Sequence, residues 1–226
     1  PETLNIPTYV TETVEYIEVA VLKVTLEADT SNRGKLKSIA KLFHTQIPYP
    51  VILLIKLGGE IAVSLADKRI NQADSSKLVI DNFFNSPWFN VASLLSNEND
   101  FLNDFSLKNV SSVNYYELYQ DFISMLITLN TSYISGRYLT KSSHQKRVSI
   151  NNLSSSLENQ ADTSLFIEMT NEEKTNLLKQ LASLEGELSN IRNKLKKEMQ
   201  MNEKMRLNVQ ARKVKQAISA ITSQLV

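Results

Sequence analysis

Two adjacent glycines between two apolar runs are the feature that most constrains the fold of this chain. Gly58 and Gly59 separate Val51–Leu57 from Ile61–Ala66. A pair of glycines supplies the positive φ angles that a tight turn needs, so the pattern predicts two antiparallel strands joined by a two-residue turn. A third apolar run, Lys77–Phe84, follows after one polar loop. Three short strands joined by turns are sufficient to form an antiparallel sheet.

The segments around this hairpin predict one further strand and two helices. In Tyr16–Leu26 apolar side chains fall on both faces of an extended chain, which is typical of a central or well-covered strand. In Lys35–Gln46 apolar residues recur at helical spacing, and Pro48 requires that helix to end by Ile47. Val113–Tyr133 predicts a second helix. The order of elements predicts an α+β domain with a mainly antiparallel sheet and packed helices.

A polar segment over 141–163 predicts a boundary between two parts of the chain. It is rich in Ser, Asn, Gln and Lys and has few aromatic residues. A stretch of about 20 residues without secondary structure is uncommon inside a compact domain and usually marks a linker. The sequence therefore predicts an α+β domain over 1–140, a polar linker over 141–163 and a helical region over 164–226.

The helical region carries two heptad seams, in which apolar residues alternate at spacings of four and three. The first seam comprises Leu177, Leu181, Leu184, Leu188, Ile191 and Leu195, and the second comprises Leu207, Ala211, Val214, Ile218, Ile221 and Leu225. Twelve residues separate Leu195 from Leu207, whereas seven or fourteen would keep one register. We therefore predict a reversal near Met201 and an antiparallel helical hairpin with arms roughly 35–40 Å long. A single bent helix in an intermolecular coiled coil is the alternative.

Composition excludes several kinds of site. The chain has 226 residues and no cysteine, which excludes disulfides and thiolate metal sites. It contains no run of about 18 apolar residues and no signal-peptide pattern, so we expect a soluble cytoplasmic protein without a membrane partner. The chain begins at Pro1 rather than at Met, as expected of a processed or truncated chain or of one that lacks a leading segment.

Charge is distributed unevenly along the chain. Residues 171–226 contain eleven basic and six acidic residues, a net charge of +5, whereas the remainder has 14 basic and 18 acidic residues, a net charge of −4. Anionic partners are therefore expected for the hairpin rather than for the α+β domain.

The predicted hairpin tip concentrates this positive charge. Its candidate binding residues are Lys194, Lys196, Lys197, Lys204 and Arg206. Such a tip suits phosphate binding without sequence readout, and the alternative is an ordinary solvated coiled-coil face. Met199, Met201 and Met205 lie beside it and predict soft contacts, either with a groove of a partner protein or within the hairpin.

No catalytic motif is evident. The chain has five glycines but no phosphate-binding loop, and neither His44 nor His144 has a second ligand at metal-binding spacing, so no metal and no cofactor are expected. Asp67 and Lys68 form a charged cluster at the end of the second strand, and Asp81 lies on the third. A metal-dependent nuclease requires carboxylates and a lysine around a divalent ion. These three are therefore the catalytic candidates, and ordinary strand-end charges are the more frequent role of such residues.

Five stretches resemble a bacterial family of uncharacterised proteins, named domain of unknown function 4391. They are PETLNIP, IPYPVILLI, DKRINQAD, FFNSPWF and KKEMQMNEKMRLN, in the family's order. The resemblance implies a gene neighbourhood of helicases and DNA methyltransferases in restriction-like, antiphage loci, and a helical segment before PETLNIP. Lys68, Arg69 and Trp88 match family-typical positions without a known role, and the family supplies no catalytic residues.

These observations favour a non-enzymatic interaction subunit of a restriction-like or antiphage defence complex. It is expected to dock on a helicase or a DNA methyltransferase and to contact DNA through the basic hairpin tip. A metal-dependent nuclease subunit and a scaffold that self-assembles into a homo-oligomer through the coiled coil are the alternatives. Two carboxylates within about 4–6 Å in a cleft beside Lys68 would favour the nuclease.

Overall fold

The computed structural model describes residues 5–27, 29–74, 78–140 and 169–226. The described residues divide into two compact units: the first comprises those up to residue 130 together with 137–140, and the second comprises 131–136 together with 169–226. His144 and the predicted linker over 141–163 lie outside the described residues, so the domain boundaries drawn from sequence stay a prediction. None of the helices described is both long and apolar enough to span a membrane.

Strands and helices of the first unit alternate irregularly along the chain. In order they are β1 (Tyr9–Val10), β2 (Glu15–Tyr16), β3 (Ala20–Leu26), α1 (Thr30–Arg33), α2 (Leu36–Gln46), β4 (Val51–Leu57), β5 (Glu60–Ile70), β6 (Leu78–Asn85), β7 (Phe89–Asn90), α3 (Ser96–Asp104) and α4 (Tyr115–Ser135). The last five residues of α4 belong to the second unit. The second unit contains α5 (Asn171–Lys197) and α6 (Met201–Leu225).

The main sheet has the strand order β3-β4-β5-β6, and β7 also pairs with β5. β3 and β4 are parallel, because the chain between them crosses over through α1 and α2. The pairings of β5 with β4, β6 and β7 are all antiparallel. The predicted α+β class with a mainly antiparallel sheet and a C-terminal helical hairpin is therefore confirmed. β1 and β2 form a separate two-stranded ribbon.

The predicted hairpin at Gly58-Gly59 is confirmed. β4 and β5 pair up to Leu57 and Glu60, which leaves the two glycines as the loop. Gly58 has a φ of 59°, whereas Gly59 has no positive φ. A positive φ at the first loop position alone is the pattern of a type II′ turn, in which the first residue is usually glycine.

The strand predicted over Tyr16–Leu26 was wrong in its start and in its place in the sheet. Tyr16 belongs to β2, where it pairs with Tyr9, and the sheet strand begins only at Ala20. β3 pairs with β4 alone among the described strands, so it is an edge strand rather than a central one. One face of β3 packs towards α2, while Val21 on the other face is 62% exposed. The presence of apolar residues on both faces of the strand therefore led to a prediction of more burial than the strand has.

The core below α2 follows from the alternation of side chains along the central strands. Val51, Leu53 and Ile55 of β4 are fully buried and contact Ala40 of α2. Leu36, Ile39 and Phe43 complete the apolar side of α2, as its helical spacing predicted. The helix ends at Gln46 because Ile47, before Pro48, is extended.

Tyr119 of α4 bridges β4 and β5 where these strands separate. Direct pairing of the two strands stops at Leu53 and Ser64. Two residues further on, the Tyr119 hydroxyl accepts a hydrogen bond from the Ala66 N–H (3.0 Å) and donates one to the Val51 carbonyl (2.9 Å). One buried hydroxyl thus satisfies two backbone groups that would otherwise lack partners.

The second unit contains the predicted antiparallel hairpin, and the reversal lies at residues 198–200. Leu188 and Ile191 of α5 pack with Leu207, Ala211 and Val214 of α6, with Leu195 beside them. The other end of the seam places Leu181 with Ile221. These are the seam partners expected of a hairpin rather than of one continuous helix. A capping box, in which Thr170 and Glu173 exchange hydrogen bonds, begins α5.

We expect Tyr119→Phe to lower the free energy of unfolding of the first unit by about 1–3 kcal/mol, because it leaves the Val51 carbonyl and the Ala66 N–H without a partner. Urea unfolding followed by circular dichroism measures the change. Tyr115→Phe is the matched control, since the Tyr115 hydroxyl makes no hydrogen bond within the described residues. Equal stability of the two variants would contradict the bridging role.

Candidate functional site

Lys68 closes the end of α2 rather than facing a carboxylate. Its side chain is 4% exposed, and its ammonium group donates hydrogen bonds to the carbonyls of Ile47 (2.6 Å) and Tyr49 (2.8 Å). Ile47 is the C-cap residue of α2, where backbone carbonyls carry a partial negative charge. Burial lowers the pKa of Lys68 to about 8. The contacts of Lys68 are those of a positioning group for the turn between α2 and β4.

Asp67 lies in a different environment. Its carboxylate accepts long hydrogen bonds from the Tyr16 hydroxyl (3.5 Å) and from the side-chain amide of Gln120 (3.4 Å). Burial raises the pKa of Asp67, and the negative charge of Asp81 raises it further, although the two hydrogen bonds act in the opposite direction. Asp67 is thus a partly buried carboxylate surrounded by polar and aromatic side chains.

Asp81 pairs with Arg69 at a bulge between β5 and β6. Asp67 lies opposite Asn82 and Lys68 opposite Ile80, so Asp81 is the extra residue of the bulge. The Arg69 Nε donates to both carboxylate oxygens of Asp81, at 2.8 and 2.9 Å. Both side chains are 39% exposed, and exposed ion pairs contribute little to stability.

The three catalytic candidates do not converge on one point. Asp67 and Lys68 are consecutive residues of a strand, so their side chains leave the sheet on opposite faces. Asp67 contacts α4 and Lys68 contacts the end of α2. Among the described residues no group of three His, Cys, Asp or Glu side chains could hold a metal ion. The geometry that a metal-dependent nuclease requires is not assembled from Asp67, Lys68 and Asp81.

His44 forms a buried polar pair with Ser64, which the sequence did not predict. Its Nε2 lies 3.0 Å from the Ser64 hydroxyl, and its ring is 1% exposed. Nδ1 is buried and has no hydrogen-bond partner within the described residues. Burial, together with the nearby positive charge of Lys68, lowers the pKa of His44 to about 4. His44 is therefore neutral at pH 7, and the pairing with Ser64 required knowledge of how α2 packs on β5.

Trp88 is partly buried. It packs at the margin of the α2 core, and its indole N–H donates to the Arg33 carbonyl at 3.0 Å. The family-typical residues Lys68, Arg69 and Trp88 therefore have three separate sets of partners. Nothing in their contacts joins them into one site.

The predicted basic residues lie together around the turn of the helical hairpin. Lys194, Lys196 and Lys197 occupy the last turn of α5. Lys204 and Arg206 lie in the first two turns of α6, and Arg206 pairs with Glu203 at 2.5 Å. Among the described residues, the three α5 lysines have neither an ion pair nor a hydrogen bond from the side chain. The five residues therefore lie on either side of one turn, and their role in binding stays a prediction.

Three methionines extend an apolar surface through the same turn. Met199, Met201 and Met205 are 89%, 71% and 60% exposed, and Val209 is 57% exposed. The hairpin seam is formed by Leu207 and Ala211 instead, so none of the three methionines is used in packing the two helices. Within the turn, backbone N–H groups of Gln200 and Met199 hold the pKa of Glu198 below its usual range and order the loop.

Comparison with known proteins identifies one family. Residues 1–165 match the family model described as Domain of unknown function (DUF4391). The stretch KKEMQMNEKMRLN, at 196–208, lies beyond the matched region, although it contributed to the resemblance in the sequence. No curated protein and no solved structure matches the chain.

The low pKa of His44 predicts acid sensitivity. The unfolded chain binds a proton near pH 6.5 and the folded chain only near pH 4, so the free energy of unfolding falls as the pH decreases through this range. We expect a loss of up to about 3 kcal/mol from this group. Urea unfolding at several pH values from 4.5 to 7.5, in the wild type and in His44→Gln, measures it.

The two proteins share every other ionisable residue, so the comparison isolates the contribution of His44. The variant is expected to be less stable at pH 7 but to have a shallower dependence on pH. Parallel profiles for the two proteins would show that His44 is protonated in the folded state as readily as in the unfolded chain.

Proposed function

We propose that this chain, which belongs to the family described as domain of unknown function (DUF4391), is a non-enzymatic interaction subunit. It docks on a partner protein through the turn between α5 and α6. The partner we propose is a helicase or a DNA methyltransferase of a bacterial restriction-like or antiphage complex in the cytoplasm. This partner class rests on the gene neighbourhood that the family resemblance implies.

The observation that carries the proposal is the exposed methionine cluster beside unpaired lysines. Met199, Met201 and Met205 are more than half exposed in a part of the hairpin whose own core is complete without them. Clustered exposed apolar side chains are typical of interaction sites, and methionine adapts to the shape of a partner groove. Lys196 and Lys197 at the same turn supply charges that orient and accelerate association with an acidic surface.

Contact with DNA through the same turn is the second element of the proposal. The lysines around the turn can neutralise phosphates without reading bases, as in non-specific DNA binding. Met199 and Met201 have no comparable role on a phosphate backbone. The methionines therefore favour a protein surface as the main target, and the lysines support an additional contact with DNA bound by that partner.

The seams bear on the scaffold alternative. Leu188, Ile191 and Leu207 are at most 7% exposed because they pack within one chain. A homo-oligomer built on the heptads would have to open this hairpin first. The intramolecular pairing therefore supports a hairpin that presents its turn rather than a coiled coil that joins copies.

The test uses three triple variants of equal size. The charge variant carries Lys196→Glu, Lys197→Glu and Lys204→Glu, and the apolar variant carries Met199→Gln, Met201→Gln and Met205→Gln. The control variant reverses the charges of Arg212, Lys213 and Lys215, which are exposed on α6 further from the turn. All three sets avoid the seam, and circular dichroism is expected to show unchanged helix content.

The binding measurement uses the purified helicase or methyltransferase encoded beside this protein. We expect the charge variant and the apolar variant each to weaken its binding at least tenfold, whereas the control variant changes it less than twofold. Wild-type affinity in both turn variants, or equal loss in the control, would refute docking through the turn.

A salt titration of binding to a 20-base-pair duplex separates protein docking from DNA contact. We expect a shallower salt slope for the charge variant and an unchanged slope for the apolar variant. If the charge variant loses only DNA binding and the apolar variant loses nothing, the turn is a phosphate-binding surface and not a protein-docking one.

A further inference from the structure

An apolar groove of about 600 Å³ lies in the first unit, at the hairpin end of the main sheet. Its walls include Lys23, Leu54, Lys56, Ile61, Asn90 and Val91. The first four alternate along their strands with the residues that pack towards α2, so the groove lies on the opposite face of the sheet. A volume of this size is within the range of small-molecule binding sites.

Strand register places two lysines next to Leu54, an apolar residue at the bottom of the groove. Lys23 of β3 lies opposite Leu54 of β4, and Lys56 lies two residues further along β4, opposite Ile61 of β5. Leu54 thus has two lysines as neighbours on one face of the sheet, Lys23 on the adjacent strand and Lys56 on its own strand. Both lysines are exposed, and neither has an ion pair or hydrogen bond from its side chain within the described residues.

Protection of a sheet edge does not account for both lysines. A lysine on an edge strand commonly prevents association of the edge with another chain, and Lys23 on β3 fits that role. Lys56 does not, because β4 is paired with β3 on one side and with β5 on the other.

The remaining lining defines what the groove can accept. The described residues that line the groove include no Asp or Glu, so no negatively charged side chain there can pair with a cation. The Asn90 side-chain oxygen already accepts a hydrogen bond from the Ala92 N–H at 2.9 Å. The other side chains on the floor are aliphatic, so a sugar or a nucleobase would lose its hydrogen bonds to water without replacement.

We infer that this groove binds a small amphipathic anion: a carboxylate that carries a single aliphatic or aromatic body. The apolar body covers Leu54, Ile61 and Val91, which is itself 53% exposed. The carboxylate lies between Lys23 and Lys56. This site is independent of the hairpin turn and of the function proposed for it.

The probe is sodium decanoate, titrated below its micelle concentration and followed by calorimetry on the full chain. We expect binding that decyltrimethylammonium, a cation of the same chain length, does not reproduce. Lys23→Gln with Lys56→Gln is expected to weaken decanoate binding at least tenfold. Lys37→Gln with Lys41→Gln, on the exposed side of α2, is the matched control and is expected to change it less than twofold.

Amide chemical shifts locate the bound probe. Resonances of Leu54, Ile61 and Val91 are expected to move on addition of decanoate, and those of the α5–α6 turn are not. Equal binding of the anion and the cation, an unaffected lysine double variant, or shifts confined to the exposed methionines would each overturn the assignment. The substitutions are at exposed positions, so loss of the fold does not obscure the result.

Discussion

One hydroxyl group bridges β4 and β5 at the point where the two strands separate. Past Leu53 and Ser64 the strands no longer pair directly, and backbone groups buried there need other partners. Tyr119 supplies both, so the first turns of α4 are held against the sheet at the point where it opens. Beyond this point the described strand that pairs with β5 is β6, and Lys68 reaches the carbonyls at the end of α2. At this point, therefore, side-chain hydrogen bonds to backbone groups add to the apolar packing that joins the helices to the sheet.

Patterns formed by residues close together in the sequence predicted most of the fold. The Gly58-Gly59 turn and the two heptad seams are local signals, and each has one main structural solution. The position of β3 was not predictable in the same way, because a strand's neighbours depend on which segments meet across the sheet. Val21 is apolar yet exposed, so apolar residues on both faces of a strand do not require that both be covered. Tyr119 could not be identified either, since its two backbone partners are more than 50 residues away in the sequence.

The candidate sites differ in the same respect. Asp67, Lys68 and Asp81 are close in sequence, but strand alternation and the bulge give each a different environment. The lysines of the hairpin turn were predictable because positions off a heptad seam are exposed in any helical pair. Lys23 and Lys56 were not singled out, because the position of Lys23 beside Leu54 depends on a parallel register that no local pattern reveals. One residue type thus occupies three settings here: a buried helix end, a helical turn and a groove.

The family match separates the two proposed surfaces. It ends at residue 165, so the matched residues include the sheet and its groove but not α5 or α6. The hairpin turn therefore has only its own physical features to support it. Both surfaces combine exposed apolar side chains with lysines that lack ion-pair partners in the described residues. Both are therefore suited to a ligand or partner surface that is apolar and negatively charged. They differ in scale: the groove encloses about 600 Å³, which limits it to a small ligand, whereas the turn is open and suits a protein surface.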